Sequence, residues 1–588
     1  MLERTGNERG VALISVMMLL ALLMSLLVGF YALTRIESST TKSSMNSFRG
    51  FYAAEAGLNL RAGLVRIAFQ GFWQPTGTSP DPDAAKAPCE PGNLGTGDLA
   101  CVSYDLQNRT IDTYLEESEF SPSAIVIPRG EIFQNLSASE FEYAVFSRAT
   151  SPHGVPEALL EMHFLSRLVS LFQFAAFYDK DLEILHNGSM TLAGPMHTNG
   201  DLYLGTDGLM SVTGQITTSG DMYRGRKDSN TCLTGPVRVA DPDNLIDLPD
   251  CSGDRLLYGQ GDFDAWQGMI QTGIDPVTVQ MPEAIDPAPG QIFWDQADAR
   301  IVLDLDLGEI QVRDASGGKS VGASNLLSTC GAVGLSGSFF NNREGKTITM
   351  LDVDLGSLLD CLQSNNIMGG GKRLDDDTDG GLVVFLSVDG TDSDDINNYG
   401  VRVSNGAELA SSVSGAPPIN GLTIVSDQAM YVQGDYNTVE KKPASLLADS
   451  FNLLSNAWND DTVSEKPLSS NLRNASNTSI NAALMAGTDT TGGTDGVAGQ
   501  DLAGYNGGLE SLARLHEDWN GQLLTMRGSF VSLDEPRHVQ GAWSVGGSQF
   551  RPPTVSLSFD ASFRDPTALP PLSPRLVYLR QELFVRQF

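Results

Sequence analysis

The chain of 588 residues carries 72 acidic against 38 basic side chains, a formal charge of −34. That balance argues against nucleic acid as a partner, because phosphate binding needs a basic footprint, and favours calcium or a basic protein surface. The length exceeds one ordinary domain, so more than one core is expected.

A short hydrophilic leader, residues 1–10, ends in Gly10, and the 25 residues between Arg9 and Arg35 carry no charge. Within them the run VALISVMMLLALLMSLLVGFYAL, residues 11–33, would form a helix of roughly 35 Å, enough to cross a hydrocarbon layer of about 30 Å. A secretory signal has a shorter apolar region and a small-x-small cleavage site at its far end, and nothing after Leu33 supplies one. Ile36, Phe48, Phe51, Tyr52, Ala56, Leu60, Leu64 and Ile67 continue near helical spacing with no proline before Pro75, so one helix over residues 11–70 is the simplest reading. Its outer half contains AAEAG, Ala53, Ala54, Glu55, Ala56 and Gly57, whose small side chains would let helices pack closely.

The leader ending in Gly10, the apolar run and the AAEAG stretch together resemble PilX-type minor pilins, proteins that help assemble type IV pili. The resemblance implies cleavage by a prepilin peptidase after Gly10, leaving Val11 as an N-methylated first residue. Most major pilins have Phe first and Glu fifth after that cut, whereas this chain has Val11 and Ser15. A carboxylate in an apolar run needs a positive partner, and in pilins that partner is the terminal amine of a neighbouring subunit. A subunit with Ser15 cannot make that pair, which suits the start or tip of a filament better than its shaft and also resembles the K-type minor pseudopilin of type II secretion. The alternative is a plain signal-anchor helix.

Residues 71–170 read as a Pro-, Gly- and Asp-rich loop followed by strands such as SAIVIP and EYAVFSRA, similar to the small sheet that a pilin packs on its helix. Six cysteines, none in a CxxC, lie in the part expected to be exported. Pairing of neighbours, Cys89 with Cys101, Cys232 with Cys251 and Cys330 with Cys361, closes the shortest loops of the 15 arrangements possible. Within residues 171–225 an internal repeat stands out: MTLAGPMHTNGDLYLG, residues 190–205, aligns without a gap on MSVTGQITTSGDMYRG, residues 210–225. A period of 20 with short strands and Asn-Gly or Ser-Gly turns suggests coils of a β-solenoid, with 182–189 and 421–438 as further coils, or else two similar hairpins. Residues 226–415 read as an acidic β-rich insertion, and residues 416–588 as a β-rich C-terminal region resembling that of large bacterial proteins with a PilX-type N-terminus. The expected fold class is therefore α+β, mainly β, with a long N-terminal helix and a large β-rich head.

The sharpest candidate for chemistry is LDDDTDGG, where Asp375, Asp377, Asp379 and Gly380 match the start of a D-x-D-x-D-G calcium loop. Leu386 at the twelfth position excludes an EF-hand, so Asp389, Asp392 or Asp394 would have to complete the site if the strand between returned the chain to the same end. Calcium is the one cofactor expected.

No G-x-S-x-G, P-loop or H-E-x-x-H occurs, and the six histidines are dispersed, with His186 and His197 read as surface residues flanking a repeat turn. An enzyme is not expected; the enzymatic alternative is a solenoid polysaccharide-active protein using Asp201 and Asp221, which more often cap turns. Tyr203, Tyr223, Tyr431, Tyr436, Trp458, Trp519 and Trp543 could instead form an adhesive surface.

The reading is thus a minor pilin anchored in the inner membrane with a periplasmic head, priming or capping a filament and later exposed at the cell surface. Its implied partners are other minor pilins, the major pilin, the prepilin peptidase, the inner-membrane assembly platform and a PilY-type tip adhesin. A cell-surface adhesin is the alternative.

Overall fold

The computed structural model describes residues 8–70, 74–241, 244–279, 282–460, 473–491, 508–543 and 551–587. A long N-terminal helix precedes a large β-rich region, so the fold is α+β and mainly β. The chain divides into two units, one built from residues 1–123, 140–166 and 579–588, the other from 124–139 and 167–578.

In the first unit Glu8–Gln70 is a single α-helix, with Leu, Met and Ala in its first half and no proline to stop it. Its last five turns bury Ala54, Leu58, Ala62, Val65 and Phe69, a stripe at helical spacing. Strand Arg109–Glu117 pairs antiparallel with Val102–Leu106 through a tight turn in which Gln107 and Asn108 both have positive φ. On its other side the same strand pairs antiparallel with Ser137–Thr150, and alternate residues Ile111, Thr113 and Leu115 are buried. The disulfide Cys89–Cys101 ties the preceding loop together, with Cα atoms 5.5 Å apart.

In the second unit the period-20 repeat becomes geometry. Met190–Leu192 lies parallel on Met210–Val212, Met196–Thr198 on Ile216–Thr218, and Leu202–Leu204 on Met222–Arg224, each twenty residues apart and each in a different sheet. Residues 176–178 and 182–186 stack beneath in the same register. Parallel pairing of this kind is not that of two hairpins. Met190, Leu192, Met196, Leu202 and Leu204 point inward and are buried with their counterparts Met210, Val212, Ile216 and Met222. The repeated glycines sit where successive corners touch: a Cβ on Gly208 would overlap Gly188, and one on Gly214 would overlap Gly194. Asp201 and Asp221 form a ladder, Asp201 N donating to Asp181 Oδ1 and Asp221 N to Asp201 Oδ1, both at 2.8 Å. They are caps on stacked turns, which removes the observation that favoured a polysaccharide-active site.

Two sequence expectations change here. Residues 226–415 are not a separate insertion, because Ala299–Asp304 and Leu382–Asp389 belong to the same 15-stranded sheet as the repeat strands and Leu422–Gln433. The boundaries at 170, 225 and 415 therefore fall inside one unit. Residues 421–438 do not repeat the short-strand pattern: Leu422–Gln433 is one long strand, parallel to Ala444–Leu454. Both long strands change neighbour halfway along. The first pairs with Leu382–Asp389 over residues 422–425 and with Tyr399–Ser404 over 429–432. The second pairs with Ala483–Ala486 and then with Ala513–Leu515. The remaining disulfides join the same neighbours as the sequence pairing, Cys232 with Cys251 and Cys330 with Cys361, the last linking helices Val321–Cys330 and Leu355–Ser364.

Candidate functional site

The long helix carries two different surfaces. From Ala12 to Leu33 every side chain is exposed, including Leu13, Leu20 and Phe30 at 64%, 53% and 69%. Among the described residues this is the one helix long and apolar enough to cross a membrane, with a mean hydropathy of 2.7 over its most apolar stretch. The hydroxyls of Thr34 and Thr40 turn back onto the carbonyls of Phe30 and Ile36 at 2.8 and 2.9 Å, so neither needs a partner from outside the helix. Gly10 and Val11 lie in its first turn, and Ser15 lies on the exposed apolar part.

The outer half is seated on the chain's own sheet. A Cβ on Gly57 would overlap Ile111 Cγ2 and come within 2.9 Å of Ser147 Oγ, and one on Gly50, two turns earlier, would overlap Glu157 Cβ. Between them Ala54 is fully buried and its carbonyl accepts a hydrogen bond from Ser147 Oγ at 2.7 Å. Arg109 Nε holds Glu157 at 2.5 Å beside this seat. Phe69 closes the far end against Tyr143 and Phe141, with ring centroids 5.4 and 6.0 Å away. The AAEAG stretch was expected to pack on neighbouring helices. Instead Ala53, Ala54 and Gly57 are buried against strands 109–117 and 137–150, while Glu55 and Ala56 are only half-buried. Small residues permit close approach of any backbone, and here a sheet of the same chain occupies it. Gly50 takes part as well, and its spacing of seven from Gly57 was the available signal.

The acidic residues do not converge. Asp375, Asp377 and Asp379 precede the strand Leu382–Asp389, which is a single extended run of roughly 23 Å, so Asp389 and Asp392 lie at its other end. An uninterrupted strand cannot return the chain to its start. Their neighbourhood is also occupied by cations: Lys372 Nζ bonds Asp376 at 3.0 Å and Asp298 at 2.5 Å, and Arg313 bonds Asp389 at 2.7 Å. No group of three or more acidic, His or Cys side chains suited to a metal ion occurs among the described residues.

The proposed adhesive aromatics are mostly interior. Tyr431, Tyr436, Trp458, Trp519 and Trp543 are buried, and Tyr203 and Tyr223 stack on each other at 4.7 Å with Arg255 over both rings. His186 and His197 are buried too. His197 holds Thr217 Oγ1 at 2.8 Å and Asn199 Oδ1 at 3.0 Å, and burial pushes its pKa down to about 4. Side chains alternate across a strand, so His197, next to the inward Met196, points to the other face, where Phe133, Phe174 and Phe177 cover it, a layer that the turn composition alone did not reveal.

No protein-family model matches the chain, and no curated protein matches it. Among solved structures, the competence-associated pilin ComZ from Thermus thermophilus aligns over 92% of this chain and 98% of its own, at 12% identity and a TM-score of 0.25. Likeness at that level carries no argument about fold or function.

Proposed function

We propose that the protein is a minor pilin that primes or caps a type IV pilus-like filament and presents a large β-rich head. The observation that carries this reading is one continuous helix, Glu8–Gln70, whose outer half rests on an antiparallel sheet while its apolar inner half leaves every side chain from Ala12 to Leu33 uncovered. Twenty-odd exposed apolar residues are stable only in lipid or against other apolar helices, and a filament subunit meets both in turn. The stacked repeats of the head serve as solenoid coils in this reading, and the protein works by assembly, not by turnover of a substrate.

Cleavage after Gly10 would leave Val11 at the N-terminus, methylated, with the helix retained as the inner-membrane anchor of a periplasmic head. Ser15 offers no carboxylate to a neighbour's terminal amine, which favours a terminal position in the filament. Other minor pilins, the major pilin, the assembly platform and a tip adhesin are the partners that follow.

N-terminal mass spectrometry of membrane-extracted protein is expected to find methylated Val11. An intact Met1, or a cut beyond Leu33, rejects the pilin reading. Gold labelling of the head should mark filament ends, and label scattered along the shaft would reject the terminal position.

A further inference from the structure

A polar cavity of about 490 Å³ opens in the second unit where the long strands change neighbours. At that fork the pairing slips: Ser426 faces Ala448 and Ala429 faces Ser450, so Asp427 and Gln428 together oppose the single residue Asp449. A bulge of this kind re-aims a side chain out of the regular pleat. Asp427 lines the cavity although it is only 3% exposed, and its Oδ1 has no hydrogen-bond partner. Its Oδ2 accepts from Gln428 Nε2 at 2.7 Å, and Gln428 is itself fixed by Ser393 O at 3.0 Å and Asn397 Nδ2 at 2.9 Å. The carboxyl is therefore held in place with one oxygen unspent.

The other charges around the cavity are largely spoken for. Arg537 Nη1 pairs with Asp286 at 2.7 Å, although Arg537 Nη2 is buried without a hydrogen bond, and Arg313 pairs with Asp389 at 2.7 Å and Asp304 at 3.2 Å. On the opposite strand, Asp449 accepts the backbone N–H groups of Arg537 and His538 at 2.6 and 3.1 Å. His538 Nδ1 lies 2.9 Å from the carbonyl of Asp395, an acceptor, so Nδ1 donates there. Asp394, exposed on the loop at the mouth, adds a second carboxylate, so the lining holds four acids against two guanidinium groups. Burial raises the Asp427 carboxyl, and Gln428, Ser387 and His538 oppose that shift.

A ligand that satisfies Asp427 Oδ1 brings an N–H donor, and the excess of acids in the lining favours one that carries positive charge; no three-acid cluster is present among the described residues to take a metal ion. Val388, Pro287 and Ala288 supply an apolar wall for a methylene chain. We propose that the fork binds an aliphatic ammonium or guanidinium group, with Asp427 as its principal anchor and Asp394 at the entrance. The same chemistry is offered by a free polyamine and by a Lys or Arg side chain of a partner protein. A buried carboxylate oxygen without a hydrogen bond opposes folding, and such a group fits a site that is completed from outside.

The test is calorimetric titration of full-length, detergent-solubilised protein with agmatine at neutral pH, alongside galactose as a neutral polyol. One agmatine per chain is expected, with no heat from galactose. Asp427→Asn should weaken agmatine at least about tenfold, as loss of a charged hydrogen bond does, while melting no lower than the parent. Asp394→Asn, on an exposed loop and harmless to folding, should weaken it by about two- to fivefold and carries the test if Asp427→Asn does not fold. An end-blocked Gly-Gly-Arg-Gly-Gly peptide separates the sources: tighter than agmatine points to a protein side chain, weaker to a free amine. No agmatine binding up to millimolar concentration, binding of galactose, or equal affinity in the folded variants would overturn the proposal.

Discussion

The two halves of the N-terminal helix pose the same physical problem and solve it differently. Both present apolar surface. From Gly50 to Phe69 that surface meets a sheet of the same chain, with Gly50, Ala54 and Gly57 letting the backbones approach. From Ala12 to Leu33 nothing among the described residues meets it. Burial of apolar area stabilises wherever it occurs, so the first half stabilises the fold and the second can stabilise only an assembly or an insertion into lipid. Within one uninterrupted helix, the boundary between folding and function falls near residue 50.

That division can be broken by substitution. The largest effect is expected for Leu20→Arg, which should cost about 2.5–3.5 kcal/mol of membrane insertion and leave the melting of the helix and sheet unchanged, as read by membrane fractionation and thermal unfolding. A lowered melting temperature would mean that the inner half has a partner within the chain after all. Replacing Cys89 and Cys101 by Ser opens a loop of sequence separation 12 and should destabilise the first unit by about 2–3 kcal/mol without altering insertion. Gly57→Val forces a side chain into Ile111 and Ser147 and should cost about 1–3 kcal/mol in a denaturant titration, again with insertion intact. The smallest change, Ser147→Ala, removes the hydroxyl that donates to the Ala54 carbonyl and should cost about 1 kcal/mol. If Gly57→Val instead left stability untouched and reduced assembly alone, the small-residue stripe would belong to a neighbouring subunit.

Much of the framework was legible because local signals agreed. An uncharged run, a helical period and the absence of proline before Pro75 foretell Glu8–Gln70. Neighbouring cysteines close short loops, and the structure joins the same pairs. The period of 20 marks Met190 over Met210 and Leu202 over Met222. What local signals did not reveal was which way a chain segment runs. The calcium reading required Leu382–Asp389 to fold back, and as one strand it carries Asp389 away from Asp379. The adhesive reading required Tyr431, Trp519 and Trp543 to face outward, and they fill the core.

The fork shows the same limit from the other side. Asp427 is an unremarkable residue in SDQAMYV, with no motif about it. Its burial depends on a pairing slip between strands 22 residues apart and on Asp389, Arg537 and His538 arriving from distant segments. By itself the sequence determined the long helix, its apolar inner half, the neutral Ser15 and the stacking period, because each depends on residues close together in the chain. Only tertiary structure decided that AAEAG faces a sheet, that the acidic stretch joins the main sheet, and that one carboxylate is buried with an oxygen left without a hydrogen bond. Those outcomes depend on which strands become neighbours, and that choice is made by the packing of the whole unit, not by any one segment.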